Sequence, residues 1–228
     1  MIGIICAMDI ELKQIRELAC ECENIKVASF EFVKGKIYGR EVVMCVCGVG
    51  KVFAALCAHT MIMSFSPEII INVGVAGNLS DKLKIGDIAI ADSLVQHDMD
   101  TSALGDPVGL ISGINVINFE CSKPAVEKIS AICNDIGINS LVGTIATGDR
   151  FVASQAEKDR IVSLFNGISC DMEGGAIAQA CYINNVPFAA IRALSDDADS
   201  GSPSDFGEFC KTSAKNSAEV VRRFIENY

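Results

Sequence analysis

The chain has 228 residues, half of them apolar and 21% charged, and its formal net charge is −10. This size and composition favour one domain with a large core, and the acidic balance argues against binding of nucleic acid, whose phosphates need Lys and Arg. No basic run or cationic amphipathic helix offers a surface for membranes, and no apolar run approaches the ~20 residues that cross a bilayer. Because the N-terminus lacks a positively charged segment and its apolar stretch ends at Asp9, we expect no signal peptide.

The eleven cysteines are an odd number and are scattered through apolar segments. This pattern indicates buried thiols in the reducing cytoplasm, where disulfides are rare. The chain has no C-x-x-C motif, only the C-x-C pairs Cys20/Cys22 and Cys45/Cys47, and both histidines lie far from these pairs in sequence. We therefore expect a cytoplasmic protein without a metal site.

Strands and helices are predicted in turn along the first half of the chain. Apolar runs and helical periodicity predict a strand over 2–6, a helix over 8–19, three β-like stretches over 26–33, 36–38 and 41–47, a helix over 52–63, and strands over 67–73 and 86–95. Segment 97–100 contains a histidine and two acids, and a solvated loop is favoured there over a metal site. Residues 101–122 are irregular, and their length is typical of a functional or interface loop.

The second half continues the alternation. It predicts a helix over 123–135, a strand over 141–146, a helix from the capping box Ser154/Glu157 through 164, a short strand ending at 170–173, a helix opening at Gly174, a strand over 187–194, and a last helix from the start signal at 202–205 to about residue 227. Strands that alternate with helices predict a three-layer α/β/α sandwich with a central mixed β-sheet. No linker or repeat interrupts it, so we expect one domain over 1–228.

Two acids follow consecutive strands of the predicted sheet. Glu173 closes the strand before Gly174, and Asp196 follows the apolar strand over 187–194. Because parallel α/β sheets bind ligands at the carboxyl ends of their strands, the two acids predict an acid/base site for a small polar molecule. Taken singly, each also has a structural interpretation, since Glu173 at a helix start would favour the helix dipole and Asp196 would serve as a cap.

Glu11 is a third acid of interest. In the first predicted helix it shares one face with Met8, Ile15 and Leu18, so it lies inside an apolar stripe. One interpretation is a residue at the edge of the stripe that reaches water. The other is a partly desolvated carboxyl whose pKa is raised, so that it holds or exchanges a proton near neutrality.

Two glycine-rich turns follow predicted strands, at 48–51 and 74–78. Such turns bring backbone amides close to a ligand. The first is not a P-loop, because the four-residue spacer and the following Ser or Thr are absent. A simple tight turn and close helix–strand packing remain alternatives for these two segments. No nucleotide fingerprint is present, so no cofactor is predicted.

Six motifs occur in the order found in one known family. They are AMDIE at 7–11, GVGK at 48–51, NVGVAG at 72–77, TGDRF at 147–151, DME at 171–173 and RALSD at 192–196. With them the chain resembles the nucleoside phosphorylase/hydrolase family over nearly its whole length. The resemblance implies a nucleoside phosphorylase-like fold, a homodimer, a small-molecule nucleoside substrate and no cofactor. It is strongest to members that hydrolyse 5′-methylthioadenosine, S-adenosylhomocysteine and related nucleosides to adenine and the 5′-substituted ribose in methionine salvage.

The resemblance also implies the catalytic roles. Asp196, supported by Ser195, would protonate adenine at N7. Glu11 would activate the attacking water, and Arg192, assigned as a substrate-binding residue, would help to organise this acidic site. Cleavage of an N-glycosidic bond needs a neutralised leaving base and a stabilised oxocarbenium-like sugar, and two carboxyl groups in different environments divide that work.

The substrate-binding residues follow from the same resemblance. Glu173 would bind the ribose hydroxyls with Met172 against the sugar. The other assignments are base stacking by Phe151, reading of the base edge by the backbone of Val152, the base pocket at Ala76 and Gly77, the ribose and alkylthio side at Met8, Val49 and Phe206, and contact with a partner subunit's pocket by Thr101 and Leu104. The chain departs from the family at Val75, where many members have serine, and at Leu104, where an aromatic residue is common.

Three other functions remain open. A nucleoside phosphorylase would capture phosphate with arginines, but residues 1–15 and the two glycine-rich turns contain none, and Arg192 is the one local candidate. An aminodeoxyfutalosine hydrolase would differ in how it binds the distal group of the substrate. A non-catalytic nucleoside-binding protein would have no need for all three acids.

Overall fold

The computed structural model describes residues 1–199 and 203–228, and the side chains of 203–213 lie outside the description. Its strands are β1 (Ile2–Cys6), β2 (Cys20–Val27), β3 (Phe30–Ile37), β4 (Arg40–Val46), β5 (Ile69–Asn78), β6 (Ile88–Gln96), β7 (Phe119–Glu120), β8 (Ser140–Thr147), β9 (Ser169–Asp171) and β10 (Phe188–Asp196). Its helices are α1 (Asp9–Arg16), α2 (Lys51–Phe65), α3 (Lys123–Asp135), α4 (Gln155–Phe165), α5 (Gly174–Ile183) and α6 (Pro203–Asn227).

The strands form one mixed sheet, part of which closes on itself. Strands β2, β3 and β4 are antiparallel neighbours at one edge, and β4, β1, β5 and β10 then run parallel. Beyond them, β10 pairs with β6, β6 with β8, β8 with β9, and β9 returns to β5. Helices α2 and α5 pack together on the sheet, and α1, α3 and α6 form a second group. The predicted α/β fold with a central mixed sheet is confirmed, whereas the closed ring was not predicted.

The core is built around strands that are buried on both faces. Every residue of β1 is buried, and β10 is buried from Phe188 to Ser195. Continuous runs of Ile, Val and Ala suit such strands because neither face meets water. Burial of one Ile or Val side chain stabilises the fold by roughly 1.5–3 kcal/mol, so this core holds the strand ends in fixed positions.

The least accurate element predictions concern the first hairpin. The structure has two long strands, β2 and β3, where the sequence predicted β-like stretches over 26–33 and 36–38. The turn between them is made by Ala28, with a φ of 53°, and Ser29. No glycine or proline marks this turn, so the reversal left no signal in the sequence. The first helix also ends earlier, at Arg16, because the chain turns back into β2.

Most other bounds agree closely, but the predicted glycine-rich turn over 74–78 is wrong, because these residues continue β5 to Asn78. Helix α3 covers Lys123–Asp135, and α4 begins after Ser154, whose hydroxyl accepts a hydrogen bond from the backbone N–H of Glu157. Helix α6 covers Pro203–Asn227. Within the described part of the chain, none of the helices has both the length and the apolar character of a membrane span.

Candidate active site

A cavity of about 200 Å³ lies at the carboxyl ends of β1, β5, β9 and β10. The predicted site residues that line it are Met8, Glu11, Val49, Ala76, Gly77, Phe151, Val152, Met172, Glu173, Ser195 and Asp196. Its remaining lining residues are Ala7, Val75, Arg150, Cys170 and Asp171. The side chain of Phe206, predicted for the alkylthio side, lies outside the described residues. The structure thus brings the three acids, Glu11, Glu173 and Asp196, into one cavity.

Glu11 is held in the first turn of α1 by backbone amides. Its Oε2 accepts hydrogen bonds from the N–H groups of Ala7 and Met8, both at 2.9 Å, and its Oε1 accepts one from Val75 at 2.9 Å. A Cβ at Gly74 would lie 2.8 Å from Oε1, so glycine leaves room for the carboxylate. The side chain is only 2% exposed, and the interpretation of Glu11 as an edge residue in water is therefore wrong.

Burial raises the pKa of Glu11, while the three backbone hydrogen bonds and the positive charge of Arg192 oppose this shift. The environment therefore disfavours the charged carboxylate without excluding it. Such a group takes up a proton more readily than an exposed glutamate does. This is the property that a general base needs.

Glu173 lies between β9 and α5 and bonds to a third element. Its Oε1 accepts a hydrogen bond from the Gly50 N–H, at the start of α2, at 2.8 Å. Burial, reinforced by the negative charge of Asp171, raises the pKa of Glu173 to about 7. Glu173 occupies the N-cap position of α5 but makes no side-chain capping bond to that helix, so its carboxylate is directed to other partners.

Asp196 stands at an irregularity at the end of β10. The register of β10 against β5 shifts between Leu194 and Asp196, and such bulges redirect a side chain. Its Oδ2 accepts a hydrogen bond from Ser195 Oγ at 2.9 Å, and its Oδ1 accepts one from the Ala198 N–H at 3.0 Å. The serine thus contacts Asp196 as the sequence predicted, while the proton-transfer role stays a prediction.

Arg192 does not line the cavity, and the prediction that it binds substrate is corrected. Its Nε and Nη2 donate to Asp171 Oδ2 at 2.9 and 2.5 Å. Its Nη1 donates to the carbonyls of Asn72 and Ile191 at 3.2 and 3.1 Å, and Nη2 also donates to Asn72 Oδ1. A guanidinium has five N–H donors, and all five are engaged by the protein. Its charge still reaches Glu11 and Glu173 through the cavity wall.

The loop that carries Phe151 and Val152 is anchored by segment 97–100. Asp98 accepts hydrogen bonds from Lys51 Nζ at 2.6 Å and from the Asp149 N–H at 2.8 Å, and Asp149 Oδ1 accepts one from the Lys51 N–H at 2.7 Å. His97 is buried, and a Cβ at Gly148 would lie 2.4 Å from its Nε2. The expectation of a solvated loop over 97–100 holds for Asp98 and Asp100, which are exposed, but not for His97, which is buried against Gly148.

Thr101 and Leu104 lie outside the cavity of their own chain. Thr101 Oγ1 donates to Asp106 Oδ2 at 2.9 Å, and Leu104, in the short 3-10 turn Ser102–Leu104, is 85% exposed. Their contact with a partner subunit stays a prediction. In the residues that the structure describes, no cluster of three or more His, Cys, Asp or Glu side chains is arranged to hold a metal ion.

Sequence reasoning missed two buried partners of the site. Asp171 has no role in the sequence prediction, yet its side chain is 1% exposed and pairs with Arg192. Asn72, in the interior of β5, receives two of the Arg192 hydrogen bonds and donates its own amide to Ile5 O at 2.9 Å. A polar residue inside an apolar strand was the available signal for Asn72, since a buried amide needs partners.

Comparison with known proteins places this geometry among nucleoside-cleaving enzymes. A family model described as the phosphorylase superfamily matches residues 1–226. The 5′-methylthioadenosine/S-adenosylhomocysteine nucleosidase of Staphylococcus aureus strain JH9 is 38% identical over 226 residues, which are 99% of each chain. The nucleosidase of that name from Neisseria meningitidis, solved with methylthio-immucillin-A, has a TM-score of 0.96 at 32% identity, with 100% of this chain and 99% of that chain covered. A futalosine hydrolase of Helicobacter pylori has a TM-score of 0.96 at 34% identity, with 100% and 97% covered.

Proposed function

The chain belongs to the phosphorylase superfamily, and we propose that it hydrolyses the N-glycosidic bond of 5′-methylthioadenosine and S-adenosylhomocysteine. The products are adenine and the 5′-thio-substituted ribose, which would enter methionine salvage. Support comes from the nucleosidase at 38% identity over almost the whole chain and from the three acids that line one cavity. The reaction requires a proton for the leaving base and a water activated at the sugar.

Asp196 supplies the proton to adenine N7. A free purine anion is a poor leaving group, so protonation at N7 lowers the barrier to breaking the bond to the sugar. Ser195 and the Ala198 amide hold the two carboxyl oxygens and fix the carboxyl at the rim of the base pocket. Stacking on Phe151 adds binding to ground state and transition state alike, and therefore contributes affinity more than rate.

Glu11 activates the water. A carboxylate has about four lone-pair sites, and three of those on Glu11 accept backbone N–H groups. The remaining site is available to a water molecule at the sugar face. Burial raises the pKa of the Glu11 carboxyl and so favours transfer of a proton from this water to Glu11.

Glu173 binds the ribose hydroxyls. The Gly50 amide fixes Oε1, which leaves Oε2 to accept from the sugar. Met172 and Met8 line the same cavity and supply apolar contact beside the sugar and the thioether. Val49, which also lines it, is half exposed and would pack on the 5′ substituent.

The engagement of Arg192 is the observation that favours water over phosphate as the nucleophile. Phosphate capture uses guanidinium donors, and every donor of Arg192 is bound to protein. Among the residues that the structure describes, Arg150 is the one cationic side chain in the cavity lining, and it pairs with Glu157 at 2.8 Å. Arg150 adjoins Phe151, which we propose binds the base, and so it does not belong to the part of the cavity that would hold the anomeric carbon.

We further propose a cytoplasmic homodimer. One face of α2 exposes Val52, Phe53, Leu56 and Met63, and Tyr182 and Ile183 are exposed on the adjacent α5. Contiguous exposed apolar surface is typical of a protein–protein interface. In such a dimer, Thr101 and Leu104 would reach the partner's pocket. The free thiols, eight buried and two exposed among the described residues, suit a reducing compartment.

Adenine release tests the proposed function. Purified protein is incubated with 5′-methylthioadenosine in phosphate-free buffer and again with added phosphate, and adenine and sugar products are identified. Release without phosphate, with free methylthioribose as product, is the expected result. Release that requires phosphate would identify a phosphorylase instead.

Parallel reactions with S-adenosylhomocysteine and with aminodeoxyfutalosine compare the candidate substrates. The latter is included because a futalosine hydrolase is among the similar structures. Turnover of aminodeoxyfutalosine alone would replace the proposed substrate. Tight binding of nucleosides with no turnover in any reaction would indicate a non-catalytic binding protein.

A further inference from the structure

A buried ion pair lies directly behind the cavity. The side chains of Asp171 and Arg192 are each 1% exposed, and Arg192 Nη2 lies 2.5 Å from Asp171 Oδ2. Asp171 is itself part of the cavity lining, whereas Arg192 is not. The carboxylate therefore stands between the guanidinium and the space that a ligand would fill.

The carboxylate of Asp171 is fixed from its other side by the start of α5. Its Oδ1 accepts a hydrogen bond from Thr147 Oγ1 at 2.5 Å, and its Oδ2 accepts one from the Gly174 N–H at 3.2 Å. Thr147 Oγ1 in turn accepts from the Gly175 N–H at 2.6 Å. Both oxygens of Asp171 thus have defined partners besides Arg192, and this arrangement holds the carboxylate in one position.

The guanidinium has two other carboxylates within electrostatic reach. The positive charge of Arg192 lowers the pKa of both Glu11 and Glu173. A direct ion pair with either would lower that pKa by one to about three units and would make the carboxylate a poorer proton acceptor. Glu11 therefore serves better as a base when Arg192 forms its ion pair with another carboxylate.

We infer that Asp171 is a positioning residue, which holds the Arg192 guanidinium behind the cavity wall and keeps it from pairing with Glu11 or Glu173. The inference rests on the proposed function for its catalytic consequence, but the placement of charge exists in the protein without substrate. Asn72 completes the arrangement, because it occupies two of the three guanidinium donors that Asp171 leaves over, and the Ile191 carbonyl accepts from the third.

The charges that face Glu173 come from several elements. Asp171 on β9 and Glu11 on α1 disfavour its ionisation, Arg192 on β10 favours it, and the Cys47 thiol after β4 also lies within electrostatic range. The start of α2 contributes the Gly50 amide. The ammonium group of Lys51, also in α2, is paired with Asp98. Glu11 faces Arg192 and the Cys6 thiol of β1. Replacement of Asp171 by a neutral residue therefore leaves Arg192 as the dominant charge.

The test measures the titration of Glu173 in the free protein. Glutamate is labelled with ¹³C at the carboxyl carbon, and the Glu173 resonance is assigned by its loss in Glu173→Gln. In Asp171→Asn we expect Glu173 to titrate about one pH unit or more below its value in the unmodified protein, partly because the Asp171 charge itself acts on Glu173. The Glu11 resonance, assigned by its loss in Glu11→Gln, is therefore the decisive readout, because Arg192 but not Asp171 is among the charges that shift the pKa of Glu11. We expect Glu11 also to titrate at lower pH in Asp171→Asn. An unchanged Glu11 titration in folded Asp171→Asn would overturn the inference, and this readout requires no turnover.

Thr147→Val is the matched control. It removes a hydroxyl that contacts Asp171 but retains both charges of the pair. We expect a lower Tm and a Glu173 titration within a few tenths of a unit of the original. An equal shift in Thr147→Val and Asp171→Asn would show that disruption of the structure, and not the charge of Asp171, moves Glu173.

A second variant decides the case if Asp171→Asn fails to fold, since an unpaired buried charge is strongly destabilising. Asn72→Asp is nearly isosteric and adds a carboxylate beside Arg192, at the cost of the Asn72 bond to Ile5. It should draw the guanidinium further from the cavity and move the Glu173 titration upward. A downward shift or no shift would overturn the inference.

Adenine release by the same variants separates the two proposals. If the unmodified protein hydrolyses 5′-methylthioadenosine, the acid limb of kcat/KM should move to lower pH in Asp171→Asn and the plateau should fall roughly 10-fold or more, as expected for a weaker base. If the unmodified protein releases no adenine but Glu173 titrates as predicted, the proposed function fails and the inference on charge placement stands.

Discussion

The Glu173 carboxylate accepts a hydrogen bond from the Gly50 amide at 2.8 Å, although 123 positions separate the two residues. Gly50 has a φ of 99°, a conformation that glycine adopts without strain. A Cβ there would also lie 3.1 Å from Asp149 Oδ1. The bond joins the β9–α5 turn to the start of α2, so the group proposed to bind ribose is positioned from two sides.

Replacement of Glu11 by glutamine should remove the base. We expect kcat of Glu11→Gln to fall by roughly 10²- to 10⁴-fold, because an amide cannot take the proton of water. The amide NH₂ would also face backbone donors where a carboxylate oxygen now accepts. Steady-state adenine release measures the effect, and Glu17→Gln, an exposed change just beyond the same helix, is the control. Unaltered kcat in Glu11→Gln would remove this residue from the mechanism.

Asp196→Asn should abolish proton donation to the base but leave nucleoside binding nearly intact. We expect kcat to fall by roughly 10²- to 10⁴-fold. The dissociation constant for the product adenine, measured by calorimetry, should stay within a few-fold of that of the unmodified protein. The neighbouring Asp197→Asn alters an exposed side chain and should leave kcat near that of the unmodified protein. Equal losses in both variants would point to disruption of the loop rather than to proton transfer.

The pKa of Glu173, raised to about 7, makes stability depend on pH. Because the folded state binds this proton more tightly than the unfolded state, its contribution is complete below pH 4.5 and is lost as pH rises towards 7. The loss is about 2–4 kcal/mol at 1.36 kcal/mol per unit. Urea unfolding at pH 5 and pH 8 should show a smaller decline for Glu173→Gln than for the unmodified protein. Equal losses of stability between pH 5 and pH 8 in the two proteins would contradict the raised pKa of Glu173.

Gly148→Ala should displace the base-binding loop. The new Cβ would lie 2.4 Å from Nε2 of the buried His97, and such overpacking costs about 1–3 kcal/mol. We expect KM for 5′-methylthioadenosine to rise several-fold because Phe151 shifts. The double variant His97→Ala/Gly148→Ala makes room for the methyl group and should recover much of the affinity. A double variant as impaired as the single one would exclude this steric explanation.

The exposed face of α2 should be required for self-association. Leu56→Glu places a charge among apolar side chains that we propose to be buried in the dimer, and buried unpaired charges are strongly unfavourable. Sedimentation velocity should show the unmodified chain as a dimer and this variant as a monomer with reduced activity. Leu164→Glu makes the same change at an exposed position on α4 and should remain dimeric. Dimers in both variants would place the interface elsewhere.

Prediction from the sequence succeeded where local signals determine the structure. Ser154 and Glu157 fixed the start of α4, and the proline at 203 marked the start of α6. It failed at the turn through Ala28, because a residue without special turn chemistry adopts a φ of 53° there in response to the pairing of β2 with β3. Such pairing depends on residues distant in sequence and leaves no local pattern.

The site was predictable in its acids but not in what surrounds them. Motif order identified Glu11, Glu173 and Asp196, and the structure brings all three into one cavity. The position of Arg192 could not be foreseen, because its exclusion from the cavity depends on Asp171 and Asn72, which come from two other strands. Contacts between side chains on different strands cannot be read from a single sequence, because the residues are distant from each other along the chain.

The closure of the ring by β10 has a consequence for the protein during its synthesis. β10 is the last strand, it pairs with β5 and β6, and it carries Arg192, Ser195 and Asp196. Until the ribosome has released this strand, β5 and β6 each present an unpaired edge, and such edges invite aggregation. A nascent chain therefore lacks Asp196 and keeps both strand edges open until nearly all of it has been translated.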